Sequence, residues 1–145
     1  MISTGHYLLP VLSYGIIGAG GVFSAASAAS TASELSKQLQ GAQSKLLITV
    51  EGTRDAAVKA AEDSGWGSSG GGRVLLMSEG KEWELRVIGK DGQLGRNLID
   101  GNDKLPWQKI TDPYELENSL VILIYSSGTT GLPKGIHVTH LSNMC

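Results

Sequence analysis

A run rich in glycine and hydroxyl side chains places the strongest constraint on this chain. It reads YSSGTTGLPKG, residues 125–135, and directly follows the apolar run SLVILIY. Gly128 and Gly131 allow backbone angles that residues with a Cβ avoid, so successive N–H groups can converge on one anion. Hydroxyls and a lysine add donors and positive charge. The candidate phosphate ligands are Ser126, Ser127, Gly128, Thr129, Thr130, Gly131 and Lys134.

A plain Ser/Gly-rich connection between two strands is the alternative interpretation of this run. The common P-loop is disfavoured, because that motif needs Gly-Lys followed by Ser or Thr at the start of a helix. Here Lys134 follows Pro133, and Gly135 stands where the hydroxyl should be. The next residues, IHVTH, alternate in polarity and predict a strand. We therefore expect a phosphate loop that joins two strands.

The segment resembles the phosphate loop of the adenylate-forming enzymes. Their pattern is roughly [ST]-[SG]-G-[ST]-T-G-x-P-K-G, and Ser126–Gly135 satisfies it at every position. The family continues with a short strand and an [ST]-H pair followed closely by Asn, and Thr139, His140 and Asn143 stand in those places. The family includes acyl-CoA synthetases, 4-coumarate–CoA ligases, luciferases and the adenylation domains of peptide synthetases.

The resemblance implies an α/β fold, with layered helices on a mostly parallel sheet and a phosphate loop that joins two strands. It also implies a ligase reaction on a small-molecule carboxylic acid. The carboxylate attacks the α-phosphate of ATP to give an acyl-adenylate, and the thiol of coenzyme A then displaces AMP. By the resemblance, Ser126–Lys134 would wrap the β- and γ-phosphates, and Mg²⁺ would be held by ligands outside this chain.

Members of this family run to several times 145 residues, so the resemblance implies that residues 1–145 are an incomplete AMP-binding domain. The chain lacks a Gly-x-Thr-Glu stretch for magnesium, a Thr-Gly-Asp for the ribose and the late lysine. We assign no catalytic residue to it and expect no adenylation by this chain alone. A non-catalytic remnant and a dinucleotide-binding module stay open as alternatives, and so does whether the chain is an enzyme.

The first charged residue is Glu34, and residues 7–29 are apolar or small. A secretory signal is disfavoured because no Lys or Arg precedes this stretch and Pro10 interrupts it. We expect a buried helix, a turn at Gly20–Gly21 and a short buried strand. The same glycines give a partial dinucleotide fingerprint, in which Phe23 replaces the third glycine that close packing requires.

The centre of the chain predicts strands alternating with helices, which indicates parallel pairing. Thr31 and Glu34 have capping-box spacing before a helix at Ser33–Gln40. A strand at Lys45–Val50, a helix at Arg54–Glu62 and a strand at Arg73–Met77 follow. The tract at 64–72 is rich in Gly and Ser and predicts a flexible loop. We expect the acidic segment ITDPYELENS to be a solvated connector.

Composition narrows the possible partners. A net charge of −2 argues against nucleic acid, whose binding needs clustered Lys and Arg. One cysteine and three histidines without metal-ligand spacing predict no metal site. The apolar stretch is diluted by Gly and Ser, so we expect no membrane span. We expect the full-length protein in the cytoplasm or the peroxisome. Oligomeric state and acyl substrate are not predicted.

Overall fold

The computed structural model describes residues 1–3, 5–66, 72–78, 80, 82–99, 107, 109–126 and 134–143. The strands are β1 (Ile2–Ser3), β2 (Ala26–Ser27), β3 (Leu46–Thr49), β4 (Arg73–Met77), β5 (Leu85–Ile88), β6 (Leu94–Asn97), β7 (Leu120–Ser126) and β8 (Lys134–Thr139). The α-helices are α1 (Leu9–Gly18), α2 (Ala32–Gly41), α3 (Arg54–Asp63), α4 (Pro113–Asn118) and α5 (His140–Asn143). The predicted α/β class is confirmed.

The chain divides into two compact units. The first unit comprises residues 1–6 and 26–102, and the second comprises residues 7–25 and 103–145. The predicted Gly/Ser-rich loop at 64–72 belongs to the first unit, but residues 67–71 lie outside the described part of the chain.

The first unit contains a four-stranded sheet in the order β3-β4-β5-β6. Strands β3 and β4 are parallel, as the intervening helix α3 predicts. The β4–β5 and β5–β6 pairs are antiparallel, so the described sheet is less parallel than we expected. The reason is the short connection from Met77 to Leu85, which has no room for the crossover that a parallel partner would need.

Helix α2 begins at a capping box, as predicted. The backbone N–H of Thr31 donates to Glu34 Oε2 at 2.8 Å, and the Glu34 N–H donates to Thr31 Oγ1 at 3.3 Å. These bonds satisfy two donors that an uncapped helix leaves without partners. The same backbone bond from Thr31 holds the pKa of the Glu34 carboxyl below its ordinary value.

The core of the first unit is small and aliphatic. Leu35 and Leu39 of α2 are buried, and α3 contributes only small buried side chains to the same cluster. The α3 members are Ala57, Ala60 and Ala61. Alanines permit a close approach between two helices, because they put little volume between the backbones. Leu47 of β3 belongs to the same cluster and is almost fully buried.

The second unit begins with α1, and here one expectation was wrong. The apolar sequence predicted a buried helix, but α1 contains no buried residue. Within this unit the helix contributes one side to a cleft lined also by Phe23 and Ile122. Val11 and Tyr14 of the same helix are nonetheless 51% and 67% exposed. Apolar composition alone does not say which sides of a helix have partners.

The acidic segment of the second unit, which we expected to be a solvated connector, forms the short exposed helix α4. The helix begins at Asp112, whose carboxylate accepts a hydrogen bond from the Tyr114 N–H. Proline at the first turn also favours a helix start. No helix in the described ranges has the length and apolarity to cross a bilayer.

Candidate functional site

The predicted phosphate-loop segment begins at the end of strand β7. The apolar residues of β7 alternate in burial: Val121 and Leu123 are 2% and 8% exposed, while Ile124 is 48% exposed. One edge of the strand is bonded to Phe23, whose N–H donates to the Val121 carbonyl at 2.8 Å. The Leu123 N–H donates back to the Phe23 carbonyl at 2.9 Å. This is a parallel bridge, so β7 has backbone partners on that edge before the loop begins.

The other edge of β7 pairs with β8 in an antiparallel hairpin. The register runs from Leu120 opposite Thr139 to Ser126 opposite Lys134. The predicted loop therefore joins two strands, as the alternating IHVTH sequence indicated. Backbone pairing brings the first and last candidate ligands, Ser126 and Lys134, to the same end of the hairpin. The remaining candidates lie outside the described residues: Ser127, Gly128, Thr129, Thr130 and Gly131.

An aromatic ring packs at the end of this hairpin. Tyr125 lies opposite Gly135 in the ladder. A Cβ added to Gly135 would lie 3.8 Å from Tyr125 Cε1 and 3.2 Å from Leu123 Cδ1. The glycine thus leaves room for two side chains on the same face of the hairpin. Burial raises the pKa of the Tyr125 phenol above its ordinary value.

The hairpin ends in a capped turn. Helix α5 starts at His140. The Thr139 N–H donates to Ser142 Oγ at 2.8 Å, and Ser142 Oγ in turn donates to the Thr139 carbonyl at 3.2 Å. Local hydrogen bonds of this kind satisfy backbone groups at a helix start. Thr139 and His140 therefore have a structural explanation that involves no ligand.

The described segments on both sides of residues 127–133 are strands, so neither offers the helix N-terminus that many anion sites use. By residue type, the candidate ligands offer backbone N–H groups, hydroxyls and one lysine, which are the donors that anion sites employ. In the described ranges, no cluster of three or more His, Cys, Asp or Glu side chains could hold a metal ion.

The role of Phe23 was not predicted from the sequence. We considered it only as the wrong residue in a dinucleotide fingerprint, yet it bonds the strand that leads into the candidate loop. In that fingerprint a strand precedes the glycines and a helix follows them. Here the order is reversed, because α1 precedes Gly20 and an extended segment follows. The pattern AGGV after a helix was the available signal, since paired glycines often end helices.

Comparison with known proteins identifies relatives along nearly the whole chain. Residues 6–145 match the family model described as AMP-binding enzyme. A provisionally named acyl-coenzyme A synthetase of Emericella nidulans is 42% identical over 97% of this chain. A 4-coumarate–CoA ligase-like protein of Arabidopsis thaliana is 34% identical over 93% of it. The chain spans about a quarter of the length of these relatives: 24% of the first and 22% of the second.

The fold also matches solved structures. ATP-bound MatB from Rhodopseudomonas palustris superposes with a TM-score of 0.61 at 21% identity, over 96% of this chain and 24% of that one. At this level of identity the likeness establishes the fold alone. It supports the predicted α/β architecture of a partial domain.

Proposed function

Because the chain belongs to the AMP-binding enzyme family, we propose that it is the phosphate-binding part of an ATP-dependent carboxylate–CoA ligase. The observation that carries the proposal is the β7–β8 hairpin. It holds the two ends of a Gly- and hydroxyl-rich segment side by side, with Ser126 opposite Lys134. The whole segment lies within the residues matched by the family model.

The proposed reaction has two steps. A carboxylate oxygen of the acid attacks the α-phosphorus of ATP, and the bond from that phosphorus to the bridging oxygen breaks, releasing pyrophosphate. In the second step the sulfur of coenzyme A attacks the acyl carbon, and AMP leaves. The relatives' names support this chemistry, because they include an acyl-coenzyme A synthetase and a 4-coumarate–CoA ligase-like protein. The acid is a small carboxylic acid of unassigned structure.

In this proposal the chain's own residues act on the leaving group. Hydroxyls and N–H groups of Ser127, Thr129 and Thr130 donate to the β- and γ-phosphate oxygens. Lys134 offsets the negative charge that develops as pyrophosphate departs. Gly128 and Gly131 permit backbone angles at which successive N–H groups can converge on the phosphates.

The proposal gives this chain a binding role and no complete catalytic site. Mg²⁺ would supply further charge neutralisation on the phosphates, but the described residues hold no cluster that fits the ion, so we place no magnesium ligand here. We also assign no residue to coenzyme A or to the acid. These 145 residues alone should therefore bind ATP without forming acyl-adenylate. Cytoplasmic or peroxisomal location stays a prediction.

Protection of the loop against proteolysis tests the proposal. MgATP should slow cleavage within residues 126–135 of the wild-type chain. Lys134→Ala should abolish that protection, whereas Lys37→Ala, which removes an exposed lysine of α2, should keep it. A non-catalytic remnant would show no protection in any variant. A dinucleotide-binding module would instead be protected by NAD, at sites near Gly18–Phe23.

A further inference from the structure

The turn after α1 is a part of the molecule that the proposed function leaves unexplained. The Gly20 N–H donates to the Ile17 carbonyl at 2.9 Å, and the Gly21 N–H donates to the Ile16 carbonyl at 2.8 Å. This pair of bonds is a Schellman motif, which ends a helix and reverses the chain. Gly20 has φ of +75°, a left-handed conformation that glycine adopts without strain.

Gly21 is confined by space rather than by its backbone angle. A Cβ added there would lie 2.9 Å from Ile16 Cγ2 and 3.0 Å from the Ile16 carbonyl oxygen. The second distance is to backbone, which cannot move aside without shifting the helix end. By contrast, a Cβ added to Gly18 meets nothing within 4 Å. The two glycines therefore provide a matched pair, one in close contact and one in open space.

The tight turn determines where Phe23 lies. Two residues after Gly21, Phe23 reaches β7 and exchanges backbone bonds with Val121 and Leu123. The ladder to β8 is irregular between Leu120 and Ile122, so Val121 lies in a bulge of the hairpin. Such a bulge weakens the pairing locally. The Phe23 bridge therefore supports β7 where the hairpin supports it least.

We propose that the segment Ala19–Phe23 is a positioning element for the phosphate loop. The Schellman turn holds Phe23 beside β7, and the bridge fixes the strand three residues before the loop segment begins at Ser126. The inference rests on the proposed function of that loop. Phe23 does not touch ATP; it acts through the direction and rigidity of β7. Loosening the bridge should leave the loop's own sequence intact and still weaken ATP binding.

Two pairs of variants test this proposal. Gly21→Ala forces the turn away from Ile16, whereas Gly18→Ala adds the same methyl group in open space. Phe23→Pro removes the N–H that donates to Val121, whereas Phe23→Val keeps it in a residue that favours strands. Each variant is assayed in the full 145-residue chain by amide hydrogen exchange and by MgATP titration. Exchange at Leu47 and Leu75 reports whether the first unit stays folded.

We expect Gly21→Ala and Phe23→Pro to exchange the Leu123 amide about tenfold faster than wild type, since one backbone hydrogen bond is lost or strained. They should also bind MgATP about tenfold more weakly. Gly18→Ala should match wild type in both assays. Phe23→Val keeps the N–H but shortens a side chain that is only 8% exposed, so it should fall between wild type and Phe23→Pro in both assays. Faster exchange with unchanged MgATP affinity would overturn the proposal, because the bridge would then be structural only. Unchanged exchange at Leu123 in both altered variants would also overturn it.

The failure of the proposed function is distinguishable from failure of this inference. If the wild-type chain binds no MgATP, the phosphate-binding proposal fails. The positioning role is then decided by exchange of the amides of residues 127–133. Faster exchange there in Gly21→Ala and Phe23→Pro than in the two controls supports it, and equal exchange in all four variants contradicts it.

Discussion

Tyr125 lies directly opposite Gly135 in the β7–β8 hairpin, so an aromatic ring packs where the facing residue has no side chain. The Cβ position of Gly135 is 3.8 Å from Tyr125 Cε1 and 3.2 Å from Leu123 Cδ1. Cross-strand contacts of this kind stabilise a hairpin and fix its register. The pair lies immediately before Ser126 and after Lys134, where the candidate phosphate loop leaves and rejoins the sheet.

The first prediction concerns Gly135→Ala. The added methyl group would be closer to Leu123 than an ordinary contact, and Leu123 is only 8% exposed, so it has little room to move. We expect a loss of about 1 kcal/mol in the free energy of unfolding, the lower end of what overpacking costs. Urea unfolding monitored by circular dichroism measures it.

Gly95→Ala is the matched control for that variant. Gly95 also lies in a strand, but its added Cβ would make only ordinary contacts, the nearest at 3.5 Å to the Val87 carbonyl oxygen. It should change stability by less than about 0.5 kcal/mol. Equal effects of the two substitutions would show that the close contact at Gly135 has no energetic consequence.

The second prediction concerns the pH dependence of stability and the Tyr125 phenol. Burial raises its pKa above the ordinary value of 10.0. As pH rises past that value, the unfolded chain loses a proton that the folded chain keeps, so folding stability falls. The full contribution of the phenol to folding stability is kept at pH values below the phenol pKa of the unfolded chain. It is lost as pH rises through the higher phenol pKa that Tyr125 has in the folded chain. Tyr125→Phe should therefore lose less stability than wild type between about pH 9 and pH 11.

Denaturant unfolding of both proteins across that pH range measures the difference, and subtraction removes the contribution of groups they share. Tyr114→Phe serves as a control, because Tyr114 is 74% exposed. Parallel pH profiles for wild type and Tyr125→Phe would contradict a phenol pKa raised by partial burial.

The third prediction concerns the capping box of α2. Thr31→Ala removes the oxygen that accepts from the Glu34 N–H, and should cost about 1 kcal/mol of unfolding free energy. Ser33→Ala, two residues later in the same helix turn, removes an exposed hydroxyl from a position that favours alanine. It should leave stability unchanged or slightly raised. A loss in Ser33→Ala as large as in Thr31→Ala would mean that the cap bond is not the cause.

Elements with strong local signals were predictable from the sequence. The capping box located α2, and the run RVLLM gave the bounds of β4 as the structure has them. The alternation after the loop predicted β8 and therefore a loop between two strands. In each case the residues that form the local pattern belong to the element itself, so the pattern alone was sufficient to predict the element.

The structural features that the sequence did not predict depend on contacts between residues distant in the chain. The bridge from Phe23 to β7 joins residues about a hundred positions apart, and no local periodicity encodes it. The exposure of α1 was missed for a related reason, since its composition is apolar on all sides. The antiparallel pairing of β5 with β4 follows from the short connection between these two strands. The predicted alternation of strands and helices had indicated parallel pairing instead.

Titration with a series of ligands tests the central claim most directly. If the loop binds the β- and γ-phosphates, MgATP and magnesium pyrophosphate should bind the wild-type chain, and AMP should bind at least about tenfold more weakly. Lys134→Ala should weaken binding of MgATP and pyrophosphate alike, whereas Lys37→Ala should not. Equal affinity for AMP and MgATP, or saturable binding of neither MgATP nor pyrophosphate, would contradict the assignment of residues 126–135 as a phosphate loop.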